Sequence, residues 1–261
     1  MTTTEAAWDE LPGPVTTIGA WRAGVLFEPM GGEAPGGDRF ALSSASSRSL
    51  AFYVADATGH GRKGAEFWQD FDAFFREQWQ RFASNPTEHT LVEFASALND
   101  TLHERGRDEN HDSLSSSSSS HLAASQLCLA AGWLADDGTL VYASFGLGVH
   151  VVPVTAEGLR WVPGEAAFGF RLGWVPSSAW PGYEAALVIK RIPGVRRVWL
   201  ASDAFFGNDH WDPQAAFERV RELGEKIMDV TIEGALFHVR RLPHSGDDAT
   251  FVIVEPAASR G

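Results

Sequence analysis

The chain has one cysteine, Cys128, in 261 residues, which excludes an intrachain disulfide. Cys128 lies in the run Gln126-Leu127-Cys128-Leu129 and reads as a small buried hydrophobe, not a reactive thiol. Positive charge is also scarce. The 21 Lys and Arg residues against 34 Asp and Glu give a net charge of -13, which argues against general nucleic-acid or anionic-membrane binding, since both need clustered cations. No apolar run approaches membrane-spanning length, and Met1-Thr2-Thr3-Thr4 does not open a signal peptide, so the cytoplasm is the expected compartment. No His and Cys stand at zinc-site spacing. The Gly/Pro loop from Gly31 to Gly37 lacks the Gly-Lys-Ser/Thr ending of a nucleotide-binding loop and reads as a turn.

What is present suits one large domain with a substantial core: 44% of the residues are hydrophobic and ten are Trp. Residues 1–15 are polar, contain Pro12 and Pro14, and are expected to be a frayed N-terminus; 16–256 form the domain and 257–261 a tail. Thr16 to Phe27 reads as a first strand region. Gly64 to Phe82 carries Phe67, Phe71, Phe74, Phe75 and Phe82 at helical spacing, with Trp68 and Trp79 on other faces. Pro86 opens a second helix with Leu91, Phe94, Ala95, Leu98 and Leu102 on one face and Gly106 at its stop. Residues 106–120 are polar and end in a serine run, which reads as a mobile loop.

Gln126–Leu134 and Thr139–Ser144 form a hairpin around Asp136-Asp137-Gly138, whose two aspartates are read as turn residues. Val149–Val154, Leu159–Val162, Ala185–Ile192 and Val198–Ser202 supply further strands, with Gly169–Gly182 as a connection. Pro213–Met228 returns to helical period, Ile232, Leu236 and Val239 mark another helix, and Ala249–Val254 is a last strand. Strands, two helices, a meander, two helices and a strand make an α+β pattern.

The chain is organised around Leu50-Ala51-Phe52-Tyr53-Val54-Ala55-Asp56-Ala57-Thr58-Gly59-His60-Gly61, an alternating strand that ends at a carboxylate and breaks into a Gly turn. Three other acidic positions flank strand-like runs in the same way. Asp38 follows Gly36-Gly37 before a strand, Asp203 follows Val198-Trp199-Leu200-Ala201-Ser202, and Asp247 with Asp248 precedes Ala249-Thr250-Phe251. A single strand-end Asp is most often a turn residue making its own backbone hydrogen bonds. Several of them, from separate strands, are the hard oxygen donors that Mg²⁺ or Mn²⁺ requires.

Read in order, these segments resemble the SpoIIE-type (sporulation-stage-II-E) branch of the PPM, or protein phosphatase 2C, family of metal-dependent serine/threonine phosphatases. The resemblance spans about residues 17–255. It rests on Phe27-Glu28-Pro29 leading to Gly36-Gly37-Asp38, on Val54-Ala55-Asp56-Ala57-Thr58-Gly59-His60-Gly61, on Leu172-Gly173, on Ala201-Ser202-Asp203 and on Asp247-Asp248-Ala249-Thr250. It implies a single-domain phosphatase 2C-like β-sandwich of mainly antiparallel sheets flanked by helices.

The resemblance also implies two Mn²⁺ or Mg²⁺ ions about 3.5 to 4 Å apart sharing a hydroxide that attacks a phosphoserine or phosphothreonine monoester. Asp56 would bridge both ions, Asp38 and the Ala57 carbonyl would support one, and Asp203 and Asp247 would hold the other; Asp38 and Asp56 are thus the catalytic pair. Asp247 is preferred over Asp248, which is read as a supporting or turn residue. The implied partner is a phosphoprotein substrate, in this branch usually a small anti-anti-sigma-type regulator of a partner-switching pathway. His60 is read as a rim residue, because the general-acid His of eukaryotic members follows an Asp-Gly pair and this one lies four positions beyond Asp56. One departure stands out. Ala204 replaces the usual Gly after the third aspartate, and if that Gly serves a positive φ, Ala strains the turn by about 1 kcal/mol or more. A catalytically weak partner-binding module and a small-molecule phosphoesterase are the alternatives; the sequence leaves the oligomeric state open.

Overall fold

The computed structural model describes residues 5–7, 15–28, 36–44, 49–59, 62–112, 126–146, 148–160, 171–173, 175–179, 189–206, 213–242 and 247–257. His60, the serine run and the strand expected from Ala185 to Val188 lie outside them.

Two six-stranded antiparallel sheets pack face to face. The first has the order β1 (Glu5–Ala7), β4 (Asp38–Ser44), β5 (Leu50–Ala57), β6 (Leu127–Leu134), β7 (Leu140–Phe145), β10 (Lys190–Ile192). The second has the order β2 (Val15–Ile18), β3 (Trp21–Glu28), β12 (Ala249–Pro256), β11 (Arg197–Ser202), β8 (Val149–Thr155), β9 (Gly158–Leu159). Five helices are described: α1 (Arg62–Ser84), α2 (Glu88–Asp112), α3 (Asp203–Phe206), α4 (Pro213–Ile227) and α5 (Ile232–Val239).

Side-chain alternation along the strands builds three cores at once. Phe40, Leu42, Phe52 and Val54 of the first sheet meet Val198, Leu200, Val252 and Val254 of the second between the sheets. The intervening residues of the first sheet are small, Ala41, Ala51, Ala55, Ala131 and Ala143, and they let the aromatic face of α1 approach closely. Trp199, Ala201, Phe251 and Ile253 pack outward with residues of α4 and α5. The α+β sandwich flanked by helices is therefore present as expected.

In α1, Trp68 and Trp79 do not occupy separate faces. Both are buried with Phe67, Phe71, Phe75 and Phe82 in one stripe. Tyr53 of β5 meets Phe75 and Trp79 edge-on, each at 4.8 Å between ring centroids, the geometry that aromatic quadrupoles favour. The Trp68 indole N–H donates to the Gly37 carbonyl at 2.5 Å and ties the helix to the approach to β4. Thr87 caps α2, its hydroxyl accepting from the Thr90 amide at 3.1 Å, and Leu91, Phe94, Ala95, Leu98 and Leu102 are buried.

Four boundaries differ from expectation. Glu5–Ala7 pair with Ser43–Ala41, so this part of the N-terminus is a strand. The single strand expected over Thr16–Phe27 is two, β2 and β3, turning at Gly19 with φ 60°. Of the strand expected over Leu159–Val162, Leu159 is paired in Gly158–Leu159 and Arg160 lies beyond that strand, while 161–162 fall outside the described residues. Part of the loop expected at 106–120 is helical, because α2 continues through Gly106 to Asp112; 113–120 lie outside the described residues. One Gly costs a helix about 1 kcal/mol, too little to end one already packed along its length.

The start of α1 is fixed by a close glycine contact. A Cβ on Gly64 would lie 2.4 Å from the backbone of Gly37 and 2.6 Å from the Gly59 carbonyl. Helix propensity alone favours Ala over Gly by about 1 kcal/mol. Gly64→Ala is nevertheless expected to destabilise the protein by about 1–3 kcal/mol, because backbone must move. Urea unfolding checks this against exposed Gln69→Ala, which should stay within about 0.5 kcal/mol of wild type; a stabilised Gly64→Ala would contradict the contact.

Candidate metal centre

Antiparallel pairing carries the four aspartates to one end of the sandwich. Asp38 begins β4, Asp56 is the last but one residue of β5, and the register sets them directly opposite each other. In the second sheet β11 and β12 are antiparallel neighbours; Asp203 follows the end of one and Asp247 precedes the start of the other. The charges of Asp38, Asp203 and Asp247 all act on Asp56, so the two pairs meet across the inter-sheet core.

Burial and like charge together push Asp38, Asp56 and Asp203 upward. Asp38 is held well above the ordinary value by burial, with the charges of Asp248 and Asp203 adding; the Ser202 and Thr250 hydroxyls beside it act the other way. Asp56 is also raised, by burial first and then by Asp38 and Asp203, while the Arg171 guanidinium opposes. Asp203 is pushed up to about 6 by burial and by Asp247, again against Arg171. Cys128, the register partner of Asp56, is pushed up to about 12 by burial and by that carboxylate, as an inert buried thiol requires.

Asp247 and Asp248 are distinguished by their surroundings. The Asp248 carboxylate is buried and accepts the Gly37 amide N–H at 2.6 Å. A Cβ on Gly36 would fall 1.9 Å from that carboxylate, so only glycine fits there. Asp248 therefore fixes the turn that delivers Asp38. Asp247 is partly exposed, and its Oδ1 accepts the Asp248 amide at 2.8 Å. The Ala57 amide donates to the Gly37 carbonyl at 3.2 Å, which brackets Asp56 between two tied residues. A Cβ on Gly148 would lie 2.3 Å from Asp56 Oδ2, and the carbonyl of the same glycine accepts the Asp203 amide at 2.9 Å.

Ala204 does not strain its turn. It lies buried in the helical turn α3, and among the described residues no non-glycine has positive φ. A glycine is not needed for the chain to leave β11 helically.

Among the described residues no three His, Cys, Asp or Glu groups are drawn into a cluster tight enough to hold an ion. Asp38 is buried and Asp56, Asp203 and Asp247 are partly buried, so like charge is only partly screened among them. The donor set still fits a hard divalent cation: it is all oxygen, it comes from two rigid sheets, and Asp38 Oδ2 is buried with no hydrogen-bond partner. A carboxylate oxygen sealed from water without a donor is costly unless a cation satisfies it.

Several contributors carried no motif and were not singled out in the sequence. Arg171 donates to Thr58 Oγ1 at 2.9 Å and acts on Asp56 and Asp203. Asn99 of α2 accepts the Gly173 amide at 2.9 Å and donates to the Val175 carbonyl at 2.8 Å, clamping the segment that carries Arg171. Asn99 offered one signal, a polar residue beside Leu98 on the apolar face of a helix.

No protein-family model matches the chain, and no curated protein does. Solved structures do. RsbX in complex with magnesium superposes with a TM-score of 0.60 at 14% identity, over 93% of this chain and 98% of that one. The RsbU and RsbW domains of a Mycobacterium tuberculosis protein give 0.61 at 18% identity, over 94% of this chain and 62% of theirs, so the present chain spans less than two thirds of that protein. The PP2C phosphatase domain of SpoIIE from Bacillus subtilis, with a fragment of its regulatory domain, gives 0.58 at 14% identity, over 97% and 71% of the two chains. These likenesses establish the fold as that of the SpoIIE-type PP2C phosphatases.

The raised carboxyls set a pH dependence. Asp203 has an ordinary value of 3.8 and a folded value of about 6, so between them the folded chain binds more protons than the unfolded one. Stability from this source falls as pH rises through that window, and Asp38 and Asp56, raised in the same direction, add to the fall. In metal-free buffer the wild type should lose stability relative to Asp38→Asn as pH is raised from 5 to 8. Chemical denaturation of both proteins across that range tests this; parallel curves would contradict it.

Proposed function

We propose that this chain, with its SpoIIE-type PP2C fold, is a Mg²⁺- or Mn²⁺-dependent phosphoprotein phosphatase acting on phosphoserine or phosphothreonine. The observation that carries the reading is the delivery of four aspartates by two sheets to one end of the sandwich, with one Asp38 oxygen, Oδ2, buried without a hydrogen-bond partner among the described residues. Asp56, between the other three, is the residue we assign to both ions. Asp38 and the Ala57 carbonyl belong to one, and Asp203 and Asp247 to the other. When bound, two such ions supply an activated water and neutralise charge on the phosphoryl group.

The protein's part is positioning. Asp248 holds the Gly36–Gly37 turn so that Asp38 enters β4 at the register position of Asp56. Ser202, buried between β11 and β12, donates to the Asp248 carbonyl at 3.4 Å and accepts the Thr250 amide at 3.0 Å, which joins the Asp203 and Asp247 ends of the second sheet. No side-chain nucleophile is invoked; the buried Cys128 thiol is held in its protonated form. The strain at Ala204 that motivated a catalytically weak binding module has no counterpart in the structure. The matched structures include the RsbU and RsbW domains and one of the bacterial stressosome, and with the motif resemblance they support a phosphorylated anti-anti-sigma-type regulator as the substrate class.

Hydrolysis of a phosphoserine peptide by the wild type should require Mn²⁺ or Mg²⁺. Asp56→Asn, which keeps the size and removes the charge, should lower the rate by more than about 100-fold, beyond the loss typical of a group that only supports a ligand. An inactive wild type with metal demonstrably bound would overturn the reading, and preference for sugar or nucleotide phosphates over phosphopeptides would move it to a small-molecule phosphoesterase.

A further inference from the structure

We propose that Arg171 is the phosphoryl-binding cation of this site, a specificity residue that holds the substrate's non-bridging oxygens; the inference rests on the phosphatase reading above. Its backbone is fixed by neighbouring elements. Leu172 forms an antiparallel bridge with Leu127 at the start of β6, the two amides donating to the opposite carbonyls at 2.8 and 3.2 Å. Asn99 grips the next residue, Gly173. The bridge sets residue 171 beside the end of β5, where Thr58 donates its amide and its hydroxyl to the Gln126 carbonyl at 3.0 and 3.1 Å.

The stem of Arg171 is accommodated by a glycine. A Cβ on Gly146 would lie 3.2 Å from Arg171 Cγ and 2.6 Å from Cys128 Sγ, so a larger residue would displace the arginine.

The guanidinium is near the carboxylates without being spent on them. Its field acts on Asp56 and Asp203, yet among the described residues its one hydrogen bond goes to the neutral Thr58 hydroxyl and it forms no ion pair. A guanidinium has five N–H donors in a planar fork that matches phosphate oxygens. Arg39 makes a useful contrast. It is buried, donates to the Gly36 and Asp38 carbonyls at 3.0 and 2.8 Å, and lies over the Trp68 ring at 5.2 Å, on the α1 side. Arg39 braces the fold, while Arg171, whose field reaches Asp56 and Asp203, has among the described residues only the Thr58 hydroxyl as acceptor. With divalent cations offsetting the aspartates, an anionic phosphoryl group would be the ligand complementary to Arg171.

Arg171→Gln keeps a donor for Thr58 and removes the charge. Three readouts are compared with wild type: calorimetric Mn²⁺ binding without phosphate, calorimetric binding of inorganic phosphate to the Mn²⁺-loaded protein, and KM for a phosphoserine peptide. The expected result is a tenfold or greater weakening of phosphate binding and a matching rise in KM, with Mn²⁺ affinity unchanged or tighter. Arg171→Lys should recover part of the phosphate affinity. Unchanged phosphate binding, or a loss of Mn²⁺ binding and folded stability with phosphate affinity kept, would overturn the assignment and leave the phosphatase reading intact. A wild type that binds phosphate through Arg171 but hydrolyses no phosphopeptide would retain the assignment and overturn only that reading. A wild type that binds no phosphate when loaded with Mn²⁺ would overturn the assignment.

Discussion

The structure is built around the mutual repulsion of buried carboxylates at one end of a β-sandwich. Asp38 and Asp56 face each other across one antiparallel pair, Asp203 and Asp247 close a second, and the inter-sheet core prevents the pairs from separating. Strand ends that are only paired with neighbours could splay to relieve the charge. Here Phe40, Phe52 and Val54 are locked against Val198, Leu200 and Val252, and the carboxyls respond instead by resisting ionisation. That frustration, local and directed, is what the proposed divalent cations would relieve.

Much of the remaining architecture serves to hold the frustrated end in place. The outer face of the first sheet is lined with alanines so that α1 and its aromatic stripe can sit close, and Gly37, Gly59 and Gly64 meet backbone to backbone where that helix begins. Trp68 then reaches the same Gly37 carbonyl that accepts the Ala57 amide. Asp248 takes the Gly37 amide from the opposite sheet. One residue, Gly37, is thus tied to both sheets and to α1, and it immediately precedes Asp38.

The strand and helix order was legible because alternation and helical period are local signals. Leu50–Ala57 and Ala249–Val254 are apolar runs whose successive residues enter the inter-sheet core and a helix-facing core in turn, and the α2 stripe from Leu91 to Leu102 is buried as its spacing predicts. The four aspartates were legible as strand-end residues; pairing sets Asp38 opposite Asp56 and puts Asp203 and Asp247 at the ends of neighbouring strands, without drawing three of them into a cluster among the described residues. What was not legible depends on contacts between distant segments. Trp68 and Trp79 extend the buried stripe of α1 because the alanine-lined sheet accepts a wide face, which no count along the helix reveals. Gly106 sits inside α2 although its residue type signals a stop. Ala204 adopts a helical turn because β11 runs directly into α3, and Arg171 reaches the site through a two-residue bridge to Leu127 that no motif announces.

The central claim is that these carboxylates exist to hold divalent cations, and it is tested most directly by titrating Mn²⁺ into metal-free protein and counting bound ions by calorimetry and electron paramagnetic resonance. The account predicts two ions for the wild type, coupled through Asp56, and one or none for Asp203→Asn, with folding preserved. A wild type that binds no Mn²⁺ or Mg²⁺, or an Asp203→Asn protein that still binds two with undiminished affinity, would contradict it.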